Sequence, residues 1–306
     1  MTKATSTPAE PHRAGVVTLA GRANVGKSTL FNRLVGERVS IVSDVPQTTR
    51  TRILGVLTLP AAQIAFLDTP GIHKPQHRMN RIMLASALDA LRGVDLVLWL
   101  VDAMQGIGSG DRYIGKVLKG EGMPAIVAVL NKADRVHKPE LLPLINQLAS
   151  EFSPAEIVPV SALNGENCER LQTVIVSRLP EAPPLYPADT LTDQTERRMV
   201  AELVRERVLH RTRQEIPHET AVTVDSWEER EDGLVDISAT VHCERESQKA
   251  ILIGKGGGLM KEIGTEARIG IERLLGRRVM LRLWVRVSRD WREDKRLLDE
   301  MGIGGE

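Results

Sequence analysis

Eight consecutive residues, Gly21-Arg22-Ala23-Asn24-Val25-Gly26-Lys27-Ser28, have the spacing G-x-x-x-x-G-K-S. Glycines at that separation let the backbone wrap closely around phosphates with its N–H groups aimed inward. The Lys27 ammonium would neutralise β and γ phosphates, and the Ser28 hydroxyl would ligate Mg²⁺. Asn24, Val25 and Thr29 complete the nucleotide-binding candidates of this stretch. An apolar run at 15–20 precedes the motif and a helical pattern at 28–34 follows it. That strand–loop–helix order is the context in which such a loop binds phosphate.

Three more short elements close apolar runs further along. Asp68-Thr69-Pro70-Gly71 ends the run 63–67. A carboxylate at a strand end can hold Mg²⁺, and Gly71 can offer its backbone N–H to a γ-phosphate. Alone, D-x-x-G is usually a turn; behind a phosphate loop at this distance it is a second phosphate-sensing element. Asn131-Lys132-Ala133-Asp134 ends the run 125–130. The Asp134 carboxylate can accept from guanine N1–H and N2–H₂, a pair of donors adenine lacks, while the Lys132 stem packs over the ring. Ser161-Ala162-Leu163 follows the run 156–160, where a backbone N–H would meet guanine O6.

The order GRANVGKS, DTPG, NKAD, SAL resembles the translation-factor-related GTPases. The resemblance implies a threonine in Val45-Pro46-Gln47-Thr48-Thr49-Arg50 that contacts Mg²⁺ and the γ-phosphate: Thr49, with Thr48 as the alternative. The metal candidates are then Ser28, Thr49 and Asp68, and the catalytic candidates Lys27, Thr49 and Gly71. Ile72 stands where many small GTPases carry a water-orienting Gln, so hydrolysis should be slow without help. Asn24 matches an Asn that helps bind K⁺ in related potassium-stimulated GTPases, which makes K⁺ a further candidate cofactor.

A different chemistry is written in Ile253-Gly254-Lys255-Gly256-Gly257-Gly258-Leu259-Met260, which fits I-G-x-x-G-x-x-Φ. A GXXG loop between helices clamps a nucleic-acid backbone because residues without side chains allow close approach. Lys249, Gly254, Lys255, Gly256, Gly257, Lys261 and Arg268 are the RNA-binding candidates. Ile251, Ile253 and Ile263 read as the apolar floor and core. Trp284 and Trp291 read as core residues, with base stacking as the alternative. The arginines at 277, 278, 282, 286, 289 and 292 read mainly as a solvated face.

These motifs need a scaffold of alternating strands and helices. Short apolar runs at 15–20, 52–59, 63–67, 95–101, 125–130 and 156–160 read as buried strands, with helices at 28–34 and 80–91 between them. The implied fold is α/β with a mostly parallel sheet. Prolines at 180, 183, 184 and 187 mark a semi-rigid linker. Beyond it, a helix at 195–213, strands at 221–225 and 234–242, helices at 246–253 and 259–275, a strand at 278–287 and a helix at 290–301 give the order of an α+β type II KH domain. The organisation is a flexible tail (1–14), a GTPase-type domain (15–179), a linker (180–194) and a KH-type domain (195–302), with a frayed end after it.

Composition excludes other classes. Of 306 residues, 42% are hydrophobic and 26% charged, ordinary for a globular chain. No apolar run reaches bilayer length, because Asp95 and Asp102 interrupt the longest candidate. The N-terminus lacks a signal-peptide core, and Cys168 and Cys243 form no metal-spaced pair. A reducing, cytoplasmic setting is expected. The net charge of +1 hides a balance of −8 over 215–246 and +7 over 249–292. A locally basic face is a candidate polyanion surface.

Taken with the short linker, the PQTTR segment and the IGKGG loop, the chain resembles the Era family across about residues 15–302. It departs at Ala23, where the family usually has Pro. The resemblance implies a GTP/GDP- and Mg²⁺-dependent GTPase that binds the 3′ region of 16S rRNA, acts in maturation of the 30S subunit and is stimulated by RNA. A monomer is expected. Two other readings stay open at this point: an RNA-binding protein whose nucleotide is mainly structural, and a signalling GTPase with weak peripheral membrane association.

Overall fold

The computed structural model describes residues 12–45, 48–71, 77–120, 124–212 and 219–303. Ile72 and the Pro46–Gln47 part of the threonine loop lie outside them.

The first half is one sheet between two helical layers. Its strands are β1 (Arg13–Gly21), β2 (Ile53–Leu59), β3 (Ala62–Asp68), β4 (Leu96–Asp102), β5 (Ala125–Asn131) and β6 (Glu156–Pro159). They lie in the order β2-β3-β1-β4-β5-β6, parallel except for β2, which runs antiparallel to β3. All seven residues of β4 are buried, and side chains alternate across a strand. Leu96, Leu98 and Leu100 therefore pack on one face with α1 (Lys27–Val35) and α5 (Cys168–Arg178). Val97, Trp99 and Val101 pack on the other, with α2 (Arg78–Asp89), α3 (Ser109–Leu118) and α4 (Lys138–Phe152). A strand covered on both faces reads as a continuous apolar run, which is why these were legible. The loops after β1, β3, β5 and β6 carry the phosphate and base motifs and share the C-terminal edge of the sheet, where ligands of such folds bind.

The second half is a three-stranded sheet with helices on one face. Helix α6 (Glu196–Arg211) leads to β7 (Ala221–Glu229), β8 (Val235–Cys243), α7 (Glu246–Ile253), α8 (Gly258–Leu275), β9 (Val279–Val287) and α9 (Lys295–Glu300). β7 pairs antiparallel and β9 parallel with β8. Val204, Val208, Ile237, Val241, Leu252, Ile263 and Ile271 form its core.

The linker is fastened rather than free. It runs along the outer strand β2: Val56 N–H donates to Leu191 O (2.8 Å), and Thr192 Oγ1 donates to Leu54 O (2.7 Å). Buried Gln63 accepts from Leu185 and Tyr186 N–H and donates to Tyr186 O. This covers an open sheet edge that would otherwise expose unpaired backbone groups.

Both chain ends differ from the sequence reading. β1 begins at Arg13, and His12 exchanges hydrogen bonds with Ala182, so 12–14 belong to the fold rather than to a tail. The last helix is shorter than 290–301: Asp290 takes φ 52°, and the helix starts only after Asp294 caps it. Ile303 is buried against Met79, Met83 and Trp291, and Gly302 O accepts from Arg198 (3.0 Å), so residues 302 and 303 are packed and not frayed, while 304–306 of the expected frayed end lie outside the described residues. Cys168 and Cys243 are buried free thiols.

Candidate functional site

The phosphate loop turns from β1 into α1 through Gly26, whose φ of 94° an L side chain rarely adopts. A Cβ there would lie 2.2 Å from Asn131 Nδ2. Two motifs 100 residues apart thus meet at one glycine. Asn131 Nδ2 donates to Val25 O (2.8 Å), and its Oδ1 accepts from Ala162 N–H (3.0 Å). One side chain ties together the phosphate loop, the NKAD loop and the SAL loop. The Ala162 N–H is thereby taken, and of Ser161, Ala162 and Leu163 only Leu163, 63% exposed, faces solvent. Lys132 Nζ donates to Asn24 O (2.8 Å) and to Asp102 Oδ2 (2.7 Å). Asn24 turns its amide toward Asp44 O (2.6 Å). Asp134 sits exposed in a single helical turn, Ala133–Arg135.

Lys27, Ser28, Thr49, Gly71 and Asn24 line a narrow cavity of about 120 Å³; Asp134 is outside it. Lys27 Nζ donates to Gly21 O (3.2 Å) and Arg22 O (2.9 Å). Burial lowers its pKa to about 8, against the opposing pull of Asp68. A Cβ on Gly71 would come within 3.3 Å of Ala23 N and 3.4 Å of Lys27 Nζ, so the DTPG loop lies directly over the phosphate loop.

Asp68 is fully buried. Its Oδ2 accepts from Ser28 Oγ (2.8 Å), Ser40 Oγ (2.8 Å) and Thr49 Oγ1 (3.2 Å), and Ser28 and Thr49 hydroxyls are 2.8 Å apart. Its Oδ1 is buried with no hydrogen-bond partner. Burial raises the carboxyl pKa, opposed by Lys27 and the three hydroxyls. A carboxylate with an idle oxygen beside two hydroxyls is a hard-oxygen set that fits Mg²⁺. Thr48 is turned away: its hydroxyl donates to Val45 O (2.5 Å). Ser40 was not visible in the sequence, because a lone serine in a loop carries no spacing.

The loop between α1 and β2, which carries Thr49, is held from the second half of the chain. Glu206, buried on α6, accepts from Val42 N–H (3.0 Å) and pairs with Arg38 and Arg207. Burial pushes its pKa up, but Val42 N–H and the two arginines outweigh that and hold it below the usual range. Arg205 donates to Thr48 O and chelates Glu202. Arg50 donates to Thr220 O (2.8 Å) and stacks 5.3 Å from the Trp291 ring. α2, which follows the DTPG loop, meets the same domain: Met79 N–H donates to Arg292 O (3.2 Å) and Arg78 N–H to Glu293 (2.9 Å). The sequence signal for α6 was two charged residues inside an apolar stripe.

The glycine loop stands clear of the protein. Gly254, Gly256 and Gly257 take φ of 74°, 58° and 78°, and a Cβ on Gly256 or Gly257 would meet nothing within 4 Å. Beside it runs a groove between α8 and β9, lined by Lys249, Gly257, Met260, Lys261, Arg268 and Trp284. Two residues depart from their expected places. Ile251 is 52% exposed rather than core, and Trp284 is 62% exposed, while Trp291 is buried. The acidic and basic stretches largely neutralise each other, because β7, β8 and β9 share one sheet with β8 directly beside β9. Asp236 pairs with Arg282, Glu229 with Arg277, and Glu219 and Glu244 with Arg292. Lys249, Lys255 and Lys261 enter no ion pair among the described residues, so the surplus positive charge gathers at the groove.

Residues 16–132 match the family model of 50S ribosome-binding GTPases, and residues 215–292 match that of KH domains. GTPase Era of Heliobacterium modesticaldum is 48% identical over 294 residues, covering 96% of this chain and 98% of the relative. GTPase Era of Geobacter metallireducens is 49% identical over 293 residues, covering 95% and 98%. Among solved structures, Era in complex with MgGDPNP and nucleotides 1506–1542 of 16S ribosomal RNA superposes with a TM-score of 0.93 at 39% identity, covering 96% of this chain and all of that one. Among the described residues no helix is long and apolar enough to cross a membrane. With the phosphate-loop, DTPG and NKAD motifs on one sheet edge and a glycine-loop groove in the second half, the chain belongs to the Era family of GTPases.

Proposed function

We propose that this GTPase uses its nucleotide state to gate RNA binding at the 3′ region of 16S rRNA during assembly of the 30S subunit, in the cytoplasm and as a monomer. The observation that carries the reading is the double attachment of the Thr49 loop. One side reaches Asp68 at the nucleotide site and the other is gripped by α6 of the KH domain. A loop bound to both sites passes a change at one to the other. The RNA target comes from the relative solved with nucleotides 1506–1542 of 16S rRNA.

In this reading the working units are residues 15–179 and 195–302, with 180–194 strapped along the first. Lys27, the phosphate-loop N–H groups and Gly71 hold the phosphates. Ser28, Thr49 and Asp68 hold Mg²⁺, which when bound offsets charge on the β and γ phosphates. Asn131 fixes the loops that frame the base, Lys132 and Asp134 select guanine, and Leu163 supplies the SAL loop's remaining base-facing N–H. Water is oriented without a polar side chain at Ile72, so basal turnover is slow and RNA docking accelerates it.

The test is GTP turnover by the purified protein with and without an RNA fragment of the 16S 3′ end. Stimulation is expected, and Gly256→Asp should abolish it together with RNA binding while sparing GTP affinity. RNA binding without stimulation would favour a structural nucleotide instead. Asp134→Asn should cut the preference for GTP over ATP by about 100-fold, since one of two paired acceptors is lost. Unchanged selectivity in competition binding would remove Asp134 from the base site.

A further inference from the structure

We propose that Asp111, in the first turn of α3, is a positioning residue for the phosphate loop. Acting through Arg22, it keeps the start of that loop in shape and so sets how tightly and how long the nucleotide is held. It rests on the reading that residues 21–28 hold the phosphates.

Arg22 is the second residue of the phosphate motif, at a position whose side chain the motif leaves open. Its carbonyl belongs to the site, since Arg22 O accepts from Lys27 Nζ (2.9 Å). Its side chain is not among the residues lining the nucleotide cavity. It lies instead against the start of α3, with Nε 2.8 Å from Asp111 Oδ2. The fit there is close. A Cβ on Gly110 would come within 2.6 Å of Arg22 Cδ, and one on Gly108 within 3.8 Å of Nη1, so the two glycines leave the space the arginine fills. Asp111 is itself fixed: it is fully buried, and Oδ2 also accepts from Gly108 N–H (2.9 Å) across the first turn of the helix.

Stability does not account for the pair. Arg22 Nε and Nη2 and Asp111 Oδ1 are buried yet make no hydrogen bond among the described residues, so the charges are close but poorly aligned. A buried pair left part-satisfied costs desolvation that its attraction does not offset. What the pair provides is a fixed point. The loop is tied one residue past Ala23 as well, where Lys132 joins Asn24 O to Asp102 at the end of β4. The segment from Asp102 to Asp111 thus grips the phosphate loop on both sides of Ala23. A loop ordered before the nucleotide arrives loses less binding free energy to ordering. Once seated, the phosphates order the loop themselves, so the pair acts on affinity and release and not on the chemical step. The Arg22 side chain is 27% exposed, so an unpaired guanidinium can turn to water and let the loop move with it.

The experiment follows release of a fluorescent GDP from full-length protein, beside GTP turnover at saturation. Asp111→Asn keeps an acceptor for Gly108 N–H and removes the charge. GDP should leave about tenfold faster and KM for GTP rise by a similar factor, with kcat within about twofold. Gly110→Ala pushes on Arg22 with both charges intact and should show the same split. Adding Arg22→Gln to Asp111→Asn should speed release by no more than about twofold further, because the two side chains act as one unit. Release from Asp111→Asn at the wild-type rate would overturn the proposal, and should that variant not fold, Gly110→Ala decides in its place. Losses that multiply in the double variant would overturn it too, as would a kcat that falls in step with the melting temperature. Lys27→Met is the control. If it binds GDP as the wild type does, the phosphate-loop reading itself falls; if it loses GDP while Asp111→Asn does not, only this inference falls.

Discussion

Lys27→Met leaves a folded protein whose single-turnover GTP hydrolysis falls by about 10²–10³-fold. The substitution keeps most of the stem that packs in the phosphate loop and removes only the ammonium. That ammonium is buried, and its partners without nucleotide are two carbonyls and the Asp68 carboxylate. A fixed donor aimed at developing charge is worth about that factor when deleted. Folding should survive, because a desolvated charge is exchanged for an apolar group of similar length while Asp68, which loses its cation, keeps the Ser28, Ser40 and Thr49 hydroxyl donors. An unchanged melting temperature with the stated loss supports the assignment. Turnover within about threefold of the wild type would show that Lys27 is not the phosphate ligand.

The same residue sets a pH dependence. Without nucleotide the Lys27 pKa is lowered to about 8. Phosphates placed against it must raise that value, so binding takes up a proton wherever the free site has lost one. Below pH 8 both states are protonated and affinity is flat. Above it, affinity falls as pH rises, approaching tenfold per unit. Calorimetric titration with GDP between pH 7 and 9 should show this slope in the wild type and none in Lys27→Met. A flat wild-type profile would mean that Lys27 keeps its proton in the free site.

Much of this site is legible before folding because its elements are contiguous. A phosphate loop needs its glycines and lysine within eight residues, and the buried strands that present it are unbroken apolar runs such as β4. The KH order was readable for the same reason, since period-two and helical patterns alternate cleanly there. What stayed hidden depends on pairing across distance. Ser40 matters only because it shares Asp68 with Ser28 and Thr49. Trp284 passes for a core residue until β9 is known to be an outer strand with only one face covered. The charge asymmetry looked like a basic face because sequence cannot say that β8 and β9 are neighbours, where Asp236 neutralises Arg282. The prolines of the linker suggested stiffness; the lateral attachment depends on buried Gln63, more than 100 residues earlier.

Glu206→Ala should uncouple the domains while leaving Lys27, Ser28, Asp68 and the glycine-loop groove in place. The carboxylate is buried on α6, takes the Val42 N–H and anchors Arg38, so it fixes the path of the loop that ends at Thr49. Removing it orphans a backbone donor at a cost of about 1–3 kcal/mol, paid by local loosening of that loop. Arg38 is half exposed, so losing its pair adds little. Thr49 then spends less time beside Ser28 and Asp68. The expected result is a fall of about tenfold or more in kcat, a higher Mg²⁺ requirement and loss of RNA stimulation. GDP affinity should stay within about twofold, since GDP lacks the γ-phosphate that Thr49 would contact, and RNA should still bind, since the glycine-loop groove is left intact. Glu206→Gln retains an acceptor for Val42 N–H and should recover most of the turnover, which separates hydrogen bonding from charge. A melting transition lowered in step with all activities would mark Glu206 as a fold residue alone. A selective loss of kcat and stimulation would mean that the KH domain supplies part of the nucleotide site's geometry through one buried side chain.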